Sequence, residues 1–398
     1  MKHKCFTIMS IGLIGVTGCL PATQIPGVLE PIESTKWKAC ADELAKRQSG
    51  AMLDDLTLDG SRLLCQGVVL AAEGKTNGAI ELFNEAAAAD KTDHRPHYLS
   101  GRVLAEAGRY EEALAAFERS HKRYPAMEVP SERLGRTIAK KANPAEATLF
   151  LRRANMRGLC PYGCKGLLAK YLHELQKDGE ALEIYNEMVT SDPGEPAGWA
   201  GLASIENAKN NFEAEVSNLE KSISSEHFKD LDTLQQADIY FSLAFAKYNV
   251  NDCDAAATAI EKALALNTKR ADWYLLSGWI ALKQNNAAKA LTAFDQARDR
   301  DPHMPAIHAG LGDAELALGN LPGARKEYNL AYELEPTNGI FALKTALAAA
   351  MDRDFDIAEK LFEEAKNTSG AGLPQDLVEQ VTKLLAEKKS GKTTKESL

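Results

Sequence analysis

Small and large apolar residues recur along most of the chain with a period of 34 residues. Small residues lie at positions 67, 101, 135, 169 and 203 and, after a longer interval, at 244, 278, 312 and 346. Twelve residues after each comes a second position, which is alanine in eight cases and Glu215 in the ninth. A large apolar residue follows four residues later, as at Phe83 and Phe294. Apolar positions spaced by four and three residues share one helical face, so the pattern predicts repeated pairs of antiparallel helices.

Glycines and prolines divide this pattern at regular points. Gly74 and Gly108 fall where the first helix of a pair must end, and glycine tolerates the left-handed backbone of a helix C-terminus. Pro125 and Pro302 fall where the second helix must end, because proline interrupts a helix. Alanine is abundant throughout, which also favours a helical protein.

The pattern resembles the tetratricopeptide repeat, and the stretch from Gly101 to Pro125, with Gly108, Ala113 and Phe117 in register, fits it closely. The resemblance implies an all-α fold: a right-handed superhelical solenoid of about nine helix pairs with a C-terminal capping helix. The predicted organisation is a signal peptide at 1–18, a linker at 19–33, an N-terminal helical segment at 34–59, repeats at 60–367, a capping helix at 368–388 and a disordered tail at 389–398.

The first residues combine a charged head, a short apolar run and small residues before Cys19, which is typical of a secretory signal. The sequence Val16-Thr17-Gly18-Cys19 resembles the lipobox of bacterial lipoproteins. The resemblance implies cleavage before Cys19, lipid on its sulfur and further acylation of the new amino terminus, and two or more chains anchor a protein stably. Leu20, rather than aspartate, favours the outer membrane of a Gram-negative bacterium, with the body facing the periplasm.

Five cysteines remain after the signal and the lipid site, so at least one is expected to be free. In an oxidising periplasm we expect Cys40 to pair with Cys65 and Cys160 with Cys164, leaving Cys253 unpaired. The alternative for Cys160-Pro-Tyr-Gly-Cys164 is a redox site similar to glutaredoxin. That motif has two residues between its cysteines, whereas this one has three, and no βαβ pattern surrounds it.

The charge balance and the spacing of polar residues argue against several function classes. The chain carries 56 acidic and 47 basic residues, a net charge of −9, whereas nucleic-acid binding needs a basic surface. His94 and His97 could suggest a metal pair, but Pro96 between them favours a turn and the start of a helix. The repeats occupy almost all of 60–388, so the sequence predicts no catalytic domain, no metal site and no cofactor.

By the resemblance, the first helix of each pair lines a concave groove that binds other proteins. The N-terminal half of this groove is predicted to be basic, with Tyr98, Arg102, Arg136, Lys140, Lys170 and His173. It could bind an acidic segment or be only a solvated face. The C-terminal half is predicted to be aromatic and apolar, with Phe241, Phe245, Tyr248, Leu275 and Trp279. These side chains could form a peptide-binding patch or belong to the core.

Together these features predict a membrane-anchored periplasmic scaffold or assembly factor that binds a protein partner through its groove. The resemblance extends to pilotin lipoproteins of type IV pilus secretins. The alternative is a non-catalytic platform subunit of an exopolysaccharide-export or envelope-enzyme complex. Nothing in the sequence selects one pathway, because a fold does not by itself specify a function.

Overall fold

The computed structural model describes residues 56–126, 129–369 and 372–390, and within these ranges every regular element is helical. Cys19 and Cys40, with the predicted signal peptide and linker, lie outside the described residues, as do positions 391–398 of the predicted tail. The chain divides into two compact units, residues 1–181 and 182–398.

The first unit contains α-helices that follow one another through short turns. They are α1 (Leu56–Ala72), α2 (Thr76–Ala89), α3 (Arg95–Glu106), α4 (Tyr110–Arg123), α5 (Ser131–Lys141), α6 (Pro144–Met156), α7 (Tyr162–Glu174) and the start of α8 (Asp178–Ser191). Helix α1 packs on α2, α3 on α4 and α5 on α6, and each pair also packs on the next. This is the arrangement that the 34-residue period predicts.

The second unit continues the same pattern. After the end of α8 come α9 (Pro196–Ala208), α10 (Phe212–Ser224), α11 (Thr233–Asn249), α12 (Cys253–Leu266), α13 (Ala271–Lys283), α14 (Ala287–Arg298), α15 (Pro305–Ala317), α16 (Leu321–Leu334), α17 (Gly339–Met351), α18 (Phe355–Ser369) and α19 (Gln375–Ser390). Successive pairs pack on each other, and α19 packs on α17. The prediction of an all-α solenoid of about nine helix pairs is confirmed.

The turn inside most pairs contains one residue with a left-handed backbone; the third pair is an exception, because Ala142 has φ of −118° and Asn143 has φ of −167°. Gly74 and Gly108 take this conformation, both with φ of 76°. In three pairs of the second unit the same turn position is asparagine, as at Asn251, where φ is 61°. Asparagine is among the few residues other than glycine that adopt this conformation readily, so the turn is kept without glycine.

Each glycine in the column of small residues makes room for the large apolar residue of its own pair. A Cβ atom placed on Gly67 would lie 2.6 Å from the Phe83 ring, and one on Gly101 would lie 2.6 Å from the Phe117 ring. Both rings are fully buried. Close approach of the two helices therefore depends on the absence of a side chain at these positions.

The longer interval between the fifth and sixth pairs forms a short connection. A 3-10 turn (Phe228–Asp230) precedes α11, and Phe228 packs edge-on against Tyr240. Asp232 caps α11 by accepting a hydrogen bond from the backbone N–H of Gln235, whose side chain in turn accepts one from the backbone of Asp232. This capping box fixes where α11 begins.

Candidate functional site

The basic residues predicted for the groove of the first unit are mostly paired with acidic neighbours. Arg136 Nη2 lies 2.8 Å from Glu132 Oε1, one helical turn earlier. His173 Nδ1 lies 2.7 Å from Asp178 Oδ1, and Lys170 Nζ lies 3.9 Å from Glu174 Oε1. Lys140 is exposed. Because these acids offset the positive charge locally, this face is less basic than the positions of its cations suggest.

Two of the predicted residues on this face are withdrawn from solvent. Tyr98 is only 1% exposed and packs edge-on against Phe117, with 5.5 Å between ring centres. It therefore belongs to the core of the second pair rather than to an open surface. Arg102 is half-buried, and burial lowers the pKa of its guanidinium. A face of this kind offers a ligand few free groups.

The aromatic residues predicted for the second unit lie on the first helices α11 and α13, where each packs against a neighbour. Phe241 stacks on Trp273, with 5.4 Å between ring centres and an interplanar angle of 13°. Phe245 packs edge-on against Phe212 at 6.2 Å and remains 36% exposed. These rings are held in place while part of their surface stays open.

Tyr248 and Trp279 are also packed but partly exposed, and a lysine lies over each ring. Lys283 Nζ is 3.9 Å from the centre of the Tyr248 ring and donates a hydrogen bond to the Tyr248 carbonyl at 3.1 Å. Trp279 packs edge-on against Phe294 at 5.2 Å, and Lys344 Nζ lies 5.6 Å from its ring centre. Leu275, on the same helix as Trp279, is half-buried. Each of these side chains is thus both packed and partly accessible.

A cavity of about 400 Å³ opens among α9, α10 and α11 in the fifth pair and the start of the sixth. Ala203, Glu215 and Leu219 line it, together with Asp238, Phe241 and Phe245 from α11. The first three occupy the repeat positions that form the core of the other pairs. The cavity is therefore a local opening of the repeat core that is bordered by the predicted aromatic face.

Glu215 is the chemically distinctive group in this cavity. It is 2% exposed, and its Oε2 accepts a hydrogen bond from Asn207 Nδ2 at 2.9 Å. Burial raises the pKa of the Glu215 carboxyl to about 7, and the hydrogen bond from Asn207 offsets part of that rise. The group therefore changes charge near neutral pH, whereas an exposed glutamate is fully ionised there.

The sequence pattern predicts Phe241 and Phe245 as groove residues but does not predict a role for Glu215, Asn207 or Asp238. The sequence does distinguish Glu215, because the other eight repeats all have alanine at this position. No comparable signal marks Asn207 or Asp238, since polar residues are common on first helices. Their roles follow only from the way α9 and α11 pack against α10.

The cysteines of the first unit are largely engaged in disulfides. Cys160 and Cys164 are bonded to each other across the start of α7. Cys65 is disulfide-bonded as well, whereas its predicted partner Cys40 lies outside the described residues. In the second unit Cys253 is a free, half-buried thiol.

Residues 56–126, 129–369 and 372–390 contain neither a metal-binding cluster nor a membrane-spanning helix. No group of three or more histidine, cysteine or carboxylate side chains is placed to hold a metal ion. No helix in these ranges combines the length and the apolar character needed to cross a membrane.

Comparison with known families identifies the repeat. Two family models, each described as a tetratricopeptide repeat, match the chain, one at residues 70–129 and the other at 241–305 and 275–339. These stretches of the chain are tetratricopeptide repeats. No curated protein sequence matches the chain.

One solved structure shows the same fold at low sequence identity, and two others are similar to part of the chain. The Cut9–Hcn1 hetero-tetramer of the APC/C contains a chain that is 13% identical; 89% of this chain and 80% of that one align, with a TM-score of 0.50. PilF of Pseudomonas aeruginosa is 15% identical over 58% of this chain and 97% of its own, with a TM-score of 0.46. YrrB, a tetratricopeptide protein with an unusual peptide-binding site, is 15% identical over 50% and 97%, with a TM-score of 0.39.

The tetratricopeptide fold is a protein-interaction scaffold, and proteins of this kind are generally non-catalytic. The repeats of this chain likewise form a protein-interaction scaffold.

Proposed function

We propose that this tetratricopeptide protein is a lipid-anchored scaffold of the outer membrane that binds an extended segment of a partner protein in the periplasm. The binding surface is the aromatic face formed by Phe241, Phe245 and Tyr248 on α11 with Leu275 and Trp279 on α13. The single observation that carries this proposal is the combination of packing and exposure on that face. Phe245, for example, is held by Phe212 and still 36% exposed.

Partly buried aromatic rings make good anchors for a peptide. Their large apolar surface contributes binding free energy, and packing against neighbours limits the rotamer freedom that binding would otherwise remove. The stack of Phe241 on Trp273 and the edge contact between Trp279 and Phe294 hold these rings in this way. In addition, Asp238 and Lys283 provide charges beside the rings that could select polar side chains of the partner.

The face of the first unit is the weaker candidate for partner binding. Arg136 and His173 are already paired with acidic side chains, and Tyr98 is buried. A ligand would have to replace these local partners, which reduces the net gain from each new contact.

The partner surface is tested by photo-crosslinking from the membrane-extracted protein. p-Benzoylphenylalanine in place of Phe245 should give a crosslinked species that the same group in place of Ile357 does not give. Ile357 is the matched control because it is an apolar side chain of the same unit, 45% exposed, on the second helix α18. Equal crosslinking at the two positions, or none at Phe245, would contradict the proposed surface.

The anchor is tested separately, because its support comes from the motif Val16-Thr17-Gly18-Cys19 and its resemblance to a lipobox. Cys19→Ala should move the protein from the membrane fraction to the soluble periplasmic fraction or leave it as an uncleaved precursor. A Cys19→Ala protein that is processed and sediments with membranes as before would refute the anchor while leaving the aromatic surface untouched.

A further inference from the structure

Glu215 places a carboxyl where the repeat otherwise has a buried methyl group. The equivalent residues are Ala79, Ala113, Ala147, Ala181, Ala256, Ala290, Ala324 and Ala358, and each of them is completely buried. An alanine here lets the two helices of a pair approach closely. A longer polar side chain is a costly replacement unless something compensates for its burial.

The surroundings of Glu215 provide little compensation for a negative charge. The hydrogen bond from Asn207 is the one bond that its carboxyl makes within the described residues, and no lysine, arginine or histidine of those residues forms a salt bridge with it. A buried carboxylate without a cationic partner is unfavourable, and most buried charges in proteins are paired.

The helices packed around Glu215 contain no spare cation. The charged residues of α9 and α11 are Glu206, Asp238 and Lys247. Lys247 is occupied, because its Nζ lies 2.9 Å from Glu220 Oε1 and 3.5 Å from Asp252 Oδ2. Glu206 accepts hydrogen bonds from Lys209 and Asn211. The carboxyl of Glu215 therefore has no counter-ion from its own neighbours.

The walls of the cavity suit an aliphatic chain that carries a positive charge. Ala203, Leu219 and Ile239 provide apolar surface, and Phe241 and Phe245 provide aromatic rings at one side. Methylene groups pack favourably on such surfaces, and aromatic faces attract cations. Asp238 adds a second carboxylate to the lining, but it is paired with Arg270, whose Nη1 lies 3.7 Å from Asp238 Oδ1. The volume of about 400 Å³ falls within the roughly 300–1,000 Å³ of typical ligand pockets.

We propose that this cavity binds an alkylammonium group, the side chain of a lysine in the partner segment, with Glu215 as its counter-ion. The identification of the ligand as a peptide side chain rests on the proposed function, whereas the alkylammonium chemistry rests on the cavity itself. The aliphatic stem lies on Ala203, Leu219 and Phe241, and the ammonium group reaches the carboxyl of Glu215.

An ammonium group fits this arrangement better than a guanidinium. A guanidinium binds a carboxylate most favourably through two parallel hydrogen bonds that use both oxygens. Here Oε2 of Glu215 already accepts the hydrogen bond from Asn207. A guanidinium that uses both oxygens would have to share Oε2 with Asn207, whereas an ammonium group can bind the other oxygen alone.

The test uses n-butylammonium as the probe and amide chemical shifts of the intact protein as the readout, at pH 8. We expect saturable shifts of the Asn207 and Phe241 amides. The dissociation constant should be about tenfold larger, or more, in Glu215→Gln and Glu215→Ala. Glu215→Ala restores the residue of the other repeats and so keeps the fold. Glu213→Gln is the matched control, because Glu213 is exposed in the same helical turn, and it should bind as the unaltered protein does.

Neutral n-butanol has the same apolar chain as n-butylammonium but no charge, so it tests whether binding depends on the charge. It should bind much more weakly than n-butylammonium. Equal binding of the two probes, unchanged affinity in Glu215→Gln, or no shifts at any concentration up to tens of millimolar would each overturn the proposal. If n-butylammonium does not bind but Phe245 crosslinks specifically, the cavity proposal is wrong and the peptide surface stands. If n-butylammonium binds as expected but Phe245 does not crosslink, the cavity chemistry stands and the partner surface is wrong.

Discussion

The fifth and seventh repeats are both pairs of antiparallel helices, and they differ in how completely side chains fill the space between the two helices. In the seventh repeat (α13 and α14) Phe294 is fully buried, and it occupies the space that Gly278 leaves open. Ala290, the second small residue of that repeat, is also fully buried. In the fifth repeat (α9 and α10) the corresponding residues are Ala203, Leu219 and Glu215, and they line a cavity of about 400 Å³.

The fifth repeat differs from the seventh at all three of these positions, and it has a cavity where the seventh repeat is filled. Leucine fills less space than phenylalanine, and glutamate brings a polar end that apolar neighbours cannot satisfy. Phe241 and Phe245 from the next repeat then border the space instead of filling it. The seventh repeat is therefore mainly structural, whereas the fifth combines structural packing with groups that can bind a ligand.

Truncating the large apolar residue should separate the two repeats most strongly. Phe294→Ala removes a fully buried ring and should lower the free energy of unfolding by about 3–5 kcal/mol. Leu219→Ala should cost about 2 kcal/mol, at the low end for leucine, because part of its surroundings is already open. Urea unfolding followed by circular dichroism measures both. Equal losses would mean that the fifth repeat is as tightly packed as the seventh.

The pH dependence of stability should distinguish Glu215 from the alanines of the other repeats. Its pKa is about 7 in the folded protein against an ordinary value of 4.5, so the folded state keeps a proton that the unfolded state has lost between these values. The stabilisation is complete below about pH 4.5 and is lost as the pH rises through 7, by up to about 3 kcal/mol.

The comparison that reveals this effect is between the unaltered protein and Glu215→Gln at pH 5 and pH 8. Glutamine keeps the shape and can still accept the hydrogen bond from Asn207, but it does not titrate. The free energy of unfolding of Glu215→Gln minus that of the unaltered protein should therefore be larger at pH 8 than at pH 5. A difference that does not change with pH would show that Glu215 titrates as an exposed glutamate does.

Asn207 should have the smallest effect and one that depends on Glu215. A hydrogen bond to an ionised group contributes about 1.5–3 kcal/mol, so Asn207→Ala should destabilise the protein by an amount near the lower value at pH 8 and by less at pH 5. In the Glu215→Ala background the same substitution should be nearly neutral. An equal cost of Asn207→Ala in both backgrounds, in a double-mutant cycle, would show that Asn207 acts independently of the carboxyl.

The helix pairs could be predicted from the sequence because each rests on local spacing. The contact of Gly101 with Phe117 follows from a period of 34 residues and the need for a small residue beneath a large one. The pairing of Arg136 with Glu132 is also readable, since residues four apart share a helical face. Features of this kind need no knowledge of the neighbouring repeat.

The cavity could not be predicted in the same way. Its existence depends on how α11 places Phe241 and Phe245 beside the gap between α9 and α10, and on the size of Leu219 in that gap. Tyr98 illustrates the same limit, because its position on a first helix suggests exposure while Phe117 covers it in the fold. Burial at such positions depends on contacts between helices, and the period of a single helix does not specify them.

A carbon-13 titration of the Glu215 carboxyl, with and without n-butylammonium, tests the central claim most directly. The account predicts a midpoint near pH 7 in the free protein. It also predicts a clearly lower midpoint in the presence of the amine, because a bound cation favours the ionised form. A midpoint near 4.5 under both conditions, or one near 7 that the amine does not move, would contradict a cation-binding site in the fifth repeat.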